Sequence, residues 1–264
     1  RCLKNIFEGW GRGSSGGPFT SYALHIFKKK RMKKYPVSFE IAGPAAMFAR
    51  PDTGATPISY PLPTWSACKA MFEAVVRGFF TGGTDPAAFF NPTSVEIWLP
   101  VRYEKYVVNY RGPLRKGSQI SKDASYQLPA TILVDVCFRV NGDCIPVGSS
   151  RSGSVNAAHA LQEMFIRRLA RGVSKYAPCL GWKEFLPTYF GPFRNHDIAP
   201  VSPVLQSDLN IALPAFLLSM WDAPVRGTYQ PSFRELDVKG GVLRFPEVTV
   251  VNGKLHFGEV PDAD

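Results

Sequence analysis

The chain has 264 residues, 31 Lys+Arg against 21 Asp+Glu, a formal net charge of +10 and an apolar share of 45%. That length suits one large domain or a domain with a subdomain, and that apolar share builds a packed core, which excludes wholesale disorder. No apolar run reaches the roughly 18 residues of a membrane span, and the charge excess points to a polyanion, of which nucleic acid is the usual one.

In chain order, residues 1–31 read as an extension. Positions 11–17 have linker composition, and 28–34 hold six cations in seven positions, a run that stays solvated until it meets an anion. Met32 reads as a natural start, and no secretory core precedes it. The first strand is expected at 37–41, where Val37, Phe39 and Ile41 alternate with polar residues. After a loop to Pro63, Thr64 caps a helix that turns Trp65, Cys68, Phe72, Val75 and Val76 inward and stops at Gly78. Lys69, Glu73 and Arg77 form an i, i+4 ladder read as its solvated face.

A second strand is expected at 95–99 and a third at 132–140, with Asn141-Gly142 making a type I′ hairpin into 144–147. The second helix spans 156–171 with Leu161, Phe165 and Leu169 inward, and a strand-like segment follows at 183–190. The order βαββαβ is the ferredoxin-like arrangement, an α+β fold whose sheet leaves one face free, as in RNA-recognition modules. This domain covers 32–190. Residues 191–264, proline-rich with short strands and a second hairpin signal at Asn252-Gly253, read as a small C-terminal β subdomain.

The connection at 101–130 is too long for a simple loop. It carries Arg102, Lys105, Arg111, Arg115, Lys116 and Lys122 against Glu104 alone over 102–122, interleaved with Tyr103, Tyr106, Tyr110 and Tyr126. Cations hold phosphates and aromatic faces accept unstacked bases, so the insertion reads as a basic hairpin that contacts RNA. The bland alternative is a solvated hairpin whose tyrosines cover a sheet edge.

Four strings in order resemble the Cas-five family, the CRISPR-associated RAMP subunits of Cascade, most closely its type I-C branch. They are IAGPAAMFARP at 41–51, SYPLPTWSA at 59–67, FIRRLARG at 165–172 leading to PCLGWKEF at 178–185, and GVLRFP at 241–246. The resemblance implies a subunit that holds the 5′ handle of the crRNA, with the basic insertion as its thumb. It implies crRNA, the Cascade backbone subunits and the large subunit as partners, with target DNA met only through the complex. The RNA-binding candidates are Arg50, Arg102, Lys105, Arg111, Arg115, Lys116, Arg167, Arg168 and Lys183.

Type I-C members also cut the precursor RNA without a metal, which needs a base for the 2′-hydroxyl and an acid for the leaving oxygen. The family's catalytic positions line up here with Val76 and with Ala160-Leu161, none of which transfers a proton. His159, Tyr60 and Lys69 are the remaining candidates, each with an ordinary structural reading. The expectation is RNA holding without cutting and a separate processing enzyme. Metal-independent endoribonuclease activity is the alternative, and a general single-stranded RNA binder the second alternative.

Other chemistry has no foothold in the pattern. No P-loop is present, and His25, His159, His196 and His256 lack metal-ligand spacing. The five cysteines are scattered without a C-x-x-C pair, which fits a reducing cytoplasm and neither a disulfide framework nor a zinc knuckle. No metal or cofactor is expected. Cys179 reads as a small hydrophobe rather than a nucleophile, and the glycine- and serine-rich run at 148–154 reads equally as a phosphate cradle or a loop.

Overall fold

The computed structural model describes residues 35–54, 56–77, 79–80, 86–110, 126–147, 156–195, 203–225 and 227–261. Within them β1 (Pro36–Ala46) leads through α1 (Trp65–Val75) and the short β2 (Phe79–Phe80) to β3 (Pro86–Ile97) and β4 (Tyr103–Tyr110). Then come β5 (Tyr126–Pro146), α2 (Ala157–Ala170), β6 (Tyr189–Gly191), β7 (Ile211–Trp221), β8 (Tyr229–Lys239) and β9 (Val242–Arg244). A separate hairpin, β10 (Val248–Val251) and β11 (Lys254–Phe257), ends the fold.

The main sheet runs β6-β1-β5-β3-β9-β8-β7, all neighbours antiparallel, with β2 added on β3 and β4 on β5. Since β5 is antiparallel to both β1 and β3, those two run parallel with a strand between them, and α1 lies in their connection. The same holds for β5 and β6, joined through α2 with β1 between them. Both helices cover one face. There Phe39 of β1, Phe72 of α1, Phe90 of β3 and Phe165 of α2 interlock, with ring centroids 4.7 to 5.4 Å apart. Such offset and edge-on pairs add to the area they bury.

The helix caps follow their residue types. The Thr64 hydroxyl accepts from Ala67 N (3.2 Å), and Asn156 Oδ1 accepts from Ala158 N (3.1 Å) and His159 N (3.3 Å). At the far end of α2, Gly172 takes φ +65°, and the amides of Gly172 and Val173 return to the carbonyls of Leu169 and Arg168. That is a Schellman close, which the αL freedom of glycine permits.

Three expectations change. Asn141-Gly142 is not a turn: both residues lie inside β5, with β1 on one side and β3 on the other. A Cβ at Gly142 would stand 2.8 Å from the Asn91 carbonyl oxygen and 3.1 Å from the Phe72 ring, so glycine is there for close approach. The second strand begins at Pro86 rather than 95, because Pro92 is accommodated at a shift of register between β3 and β5. Of the last strand expected at 183–190 only Tyr189 and Phe190 are in a strand, β6; 180–185 instead closes a turn in which Leu180 N donates to Phe185 O and Phe185 N to Trp182 O.

The segment beyond 191 adds β7, β8 and β9 to the main sheet through β3, while β10 and β11 form the hairpin expected at Asn252-Gly253, both residues at positive φ. Where β7 would present a bare edge, the Tyr60 hydroxyl donates to Ala215 O (2.8 Å) and accepts from Leu217 N (3.2 Å).

Candidate nucleic-acid interface

The 101–130 insertion is built on a hairpin. β4 pairs residue by residue with the first part of β5, from Tyr103↔Leu133 to Tyr110↔Tyr126, a ladder roughly 24 Å long. Among the described residues, positions 126–130 pair with β4 alone. At the base of the arm Asp135 takes φ +49° between Val136 and Val134, which pair with Gly43 and Ala45 of β1 in unbroken register. The Asp135 carboxylate meets the Arg102 guanidinium beside this kink, both side chains well exposed. Tyr106 anchors the root edge-on against Phe185 (5.4 Å), on which Trp182 stacks in turn (5.9 Å).

Four expected RNA-binding residues gather around this root. Lys105 flanks Tyr106, Arg102 sits beside Asp135, and Lys183 stands exposed between Trp182 and Phe185. The Arg50 guanidinium lies 5.8 Å from the Tyr60 ring and is paired with Asp52, at 2.6 Å. Its charge also reaches the Tyr103 hydroxyl, which burial pushes up and Arg50 draws back down. Arg111, Arg115 and Lys116, like the loop at 148–154, lie outside the described residues.

The α2 arginines sit elsewhere. Arg167 is exposed, whereas Arg168 is half-buried and donates to the Val75 carbonyl at the C-terminal end of α1 (3.0 Å). There it satisfies an orphan acceptor and complements the helix dipole.

The candidates for proton transfer fare unequally. Tyr60 is buried, its hydroxyl engaged on β7 and pushed above its ordinary pKa by burial. Lys69 is not on a solvated face: it is 8% exposed, covered against the core, and bonded to Glu73 at 2.5 Å. Val76 is buried at the end of α1. His159 is exposed on the first turn of α2, its Nε2 3.7 Å from Glu163 and its ring 5.7 Å from that of Tyr35. Tyr35 in turn accepts from Asn156 Nδ2 at 2.5 Å. Cys179 is half-buried, lining a shallow groove with Ala70, Ala74 and Tyr176.

Sequence reasoning missed the charged cluster on the helix-free face. Glu40 is 0% exposed, yet its carboxylate accepts from Arg139 Nε (3.1 Å), Arg194 Nε (2.6 Å) and the Arg194 amide (3.2 Å). Burial alone would push its carboxyl up; the bonds from Arg194 and Arg139 outweigh that and hold it below its usual value. Arg139 also donates to Arg194 O (2.6 Å) and lies 3.5 Å from the Trp98 ring centre. Glu40 was visible as a polar residue between Phe39 and Ile41, but its partners come from strands and loops about 100 and 154 residues away.

No protein-family model matches the chain. Two curated proteins do. One is the "CRISPR pre-crRNA endoribonuclease Cas5d" of Mannheimia succiniciproducens, 25% identical over 225 residues, which span 80% of this chain and 94% of the relative. The other, of the same name, is from Thermus thermophilus, 27% identical over 241 residues that span 78% of this chain and 90% of the relative. The homologues of this chain are Cas5d proteins. A solved "CRISPR-associated Protein" shares the fold, with a TM-score of 0.56 at 18% identity over 80% of this chain and 92% of that one.

Three of the four strings that resemble the Cas-five family meet one another in the structure, while 241–246 pairs with β3 and β8. Met47 N donates to Leu180 O (2.9 Å), Tyr60 N to Phe48 O (2.8 Å) and Phe48 N to the Ser59 hydroxyl (3.0 Å). Gly181, at φ +90°, lies so close to Met47 that a Cβ would sit 1.8 Å from its carbonyl oxygen. These strings form a packing junction, and Arg50 and Lys183 of the same strings stand exposed beside it.

Proposed function

We propose that this chain is a crRNA-binding subunit of a type I Cascade and holds the 5′ handle of the guide with its β4–β5 arm. The observation that carries this is the arm: a two-stranded ladder paired to little else, with Arg102, Lys105, Arg50 and Lys183 at its root and further cations in its sequence. Cations on a projecting ribbon grip a sugar-phosphate chain through charge, and tyrosines beside them offer stacking faces. The two split β-α-β units support a ferredoxin-like domain over 32–190, with 191–264 as the β-rich remainder. The Cas5d relatives support crRNA and Cascade subunits as the partners.

Gel-shift with crRNA carrying or lacking its 5′ handle tests the reading. Tighter binding of the handle-bearing RNA at physiological salt is expected, and equal affinity overturns it.

A second reading, cleavage of pre-crRNA, is favoured by the names of the Cas5d relatives and by the exposed His159 beside Glu163. In that reaction a base takes the proton of a 2′-hydroxyl, the oxygen attacks the adjacent phosphorus, and the departing 5′-oxygen receives a proton. His159 serves as the base, with Glu163 orienting it. A repeat hairpin incubated with the protein in EDTA decides the matter: site-specific cleavage lost in His159→Ala supports it, and an intact hairpin removes it.

A further inference from the structure

The helix-free face of the sheet carries a second feature besides the arm. Alternation against the core places Glu40 of β1, Arg139, Asn141 and Asp143 of β5, Ser94 and Glu96 of β3, and Arg244 of β9 on this side, with Trp98 just beyond the end of β3. Glu40, Arg139 and Glu96 are direct cross-strand neighbours. Above them the chain after β6 brings Phe193 and Arg194 back over the sheet.

These residues form a row of rings and planar cations. The Arg139 guanidinium carbon lies 3.5 Å from the centre of the Trp98 ring and 4.8 Å from that of Phe193, and Arg194 lies 3.8 Å from that of Tyr189. The row is held rigidly. Glu40 fixes both arginines from beneath, and Glu96 accepts from Trp98 Nε1 (2.8 Å) and Asn141 Nδ2 (3.2 Å). Phe193 nevertheless keeps 39% of its surface open, and the Arg194 side chain 38%.

The charge balance says what such a surface recognises. On this face Arg139, Arg194, Arg244 and Lys239 stand against Glu40, Glu96 and Asp143, and the two central arginines already share one carboxylate. The face therefore has little charge left to neutralise phosphates. It offers fixed π-surfaces, and unstacked nucleobases are the planar ligand they fit. A duplex keeps its bases stacked and has nothing to place there.

We propose that this face, through the open ring of Phe193 backed by Arg139 and Trp98, is a base-stacking platform for single-stranded RNA. The proposal rests on the RNA-binding reading above and adds a second contact to it. The platform lies on β5, the strand that also forms the arm: Arg139 is five residues from Val134, about 17 Å along the strand. A strand of RNA gripped by the arm reaches the platform within a few nucleotides.

The experiment uses the full chain and two probes: a short unstructured RNA oligonucleotide, and the same RNA annealed to its complement. Phe193→Ala is expected to weaken single-strand binding about tenfold, leave the slope of log affinity against log salt unchanged, and leave duplex binding unchanged. Phe193→Tyr restores the affinity. Single-strand binding to the wild type also quenches tryptophan fluorescence, and Trp98→Phe removes most of that quench. Phe193→Ala with full affinity and an unaltered melting temperature overturns the platform, even where the handle preference of the wild type holds. A fall in salt slope equal to that of an arm variant also overturns it, because the contact is then to phosphate. Absence of all RNA binding by the wild type overturns the platform and the parent reading together.

Discussion

The junction around Gly181 and the root of the β4–β5 arm lie close together along the fold and are built in opposite ways. At the junction, Leu180 and Phe185 are buried, Gly181 rests on the Met47 carbonyl, and backbone bonds and apolar packing are joined by the buried Ser59 hydroxyl. At the root, Arg102, Lys105 and Tyr103 are exposed, Arg102 meets the carboxylate of Asp135, and the Arg50 charge reaches the Tyr103 hydroxyl. The first region sets stability and the second is free to bind.

Changes at the junction break this division first. Gly181→Ala places a methyl carbon inside the Met47 carbonyl at a φ that L-residues rarely adopt, so a loss of more than about 3 kcal/mol is expected, read by thermal unfolding. Glu40→Gln comes next: it leaves the half-buried Arg139 and the partly exposed Arg194 facing a neutral amide and costs about 2 kcal/mol, less than for a fully buried pair. Its pH signature sharpens the assignment. Because the folded pKa of Glu40 is held below the ordinary carboxylate value, its ionisation stabilises the fold fully above pH ~4. That contribution is lost as pH falls through the lower folded value. Denaturant titrations at a series of pH values should show the wild type losing stability on acidification more steeply than Glu40→Gln.

At the arm the expected order is reversed. Combined Arg102→Ala and Lys105→Ala changes stability by less than about 0.5 kcal/mol, since the Arg102–Asp135 pair is exposed. If both cations meet single-stranded phosphates, the salt slope of RNA binding becomes shallower by about 1.4, for handle-bearing and other RNAs alike. The smallest effect concerns the thiols. Brief alkylation of the native protein should modify Cys179 while sparing Cys68, Cys137 and Cys144, which are buried. Burial raises the Cys137 pKa to about 12 and holds the other two higher than their ordinary value as well. Mass spectrometry of the labelled peptides checks this.

Local chemistry was legible in the sequence wherever one element decides the outcome. Thr64 caps the helix it was expected to cap, the second helix begins at the expected Asn156, and Gly172 closes α2. The two Asn-Gly pairs show where legibility stops. Asn252-Gly253 turns, because β10 and β11 need only each other. Asn141-Gly142 does not, because β1 and β3 flank it and the Phe72 ring presses on the glycine. Pairing partners from distant strands overrode an identical dipeptide. Lys69 and Glu40 illustrate the same limit for the site. Each reads as a surface charge, and each is covered by residues whose positions no local window contains.

β5 is one unbroken strand of 21 residues, of which the later part is clamped between β1 and β3, while among the described residues positions 126–130 have β4 alone beside them. Mechanically this is a cantilever, built in where Thr131 bonds to Pro57 and Ser59 and Leu133 pairs with Ala46. Traction on a held strand would be absorbed there as a swing of the lever, while the body of the sheet stays still.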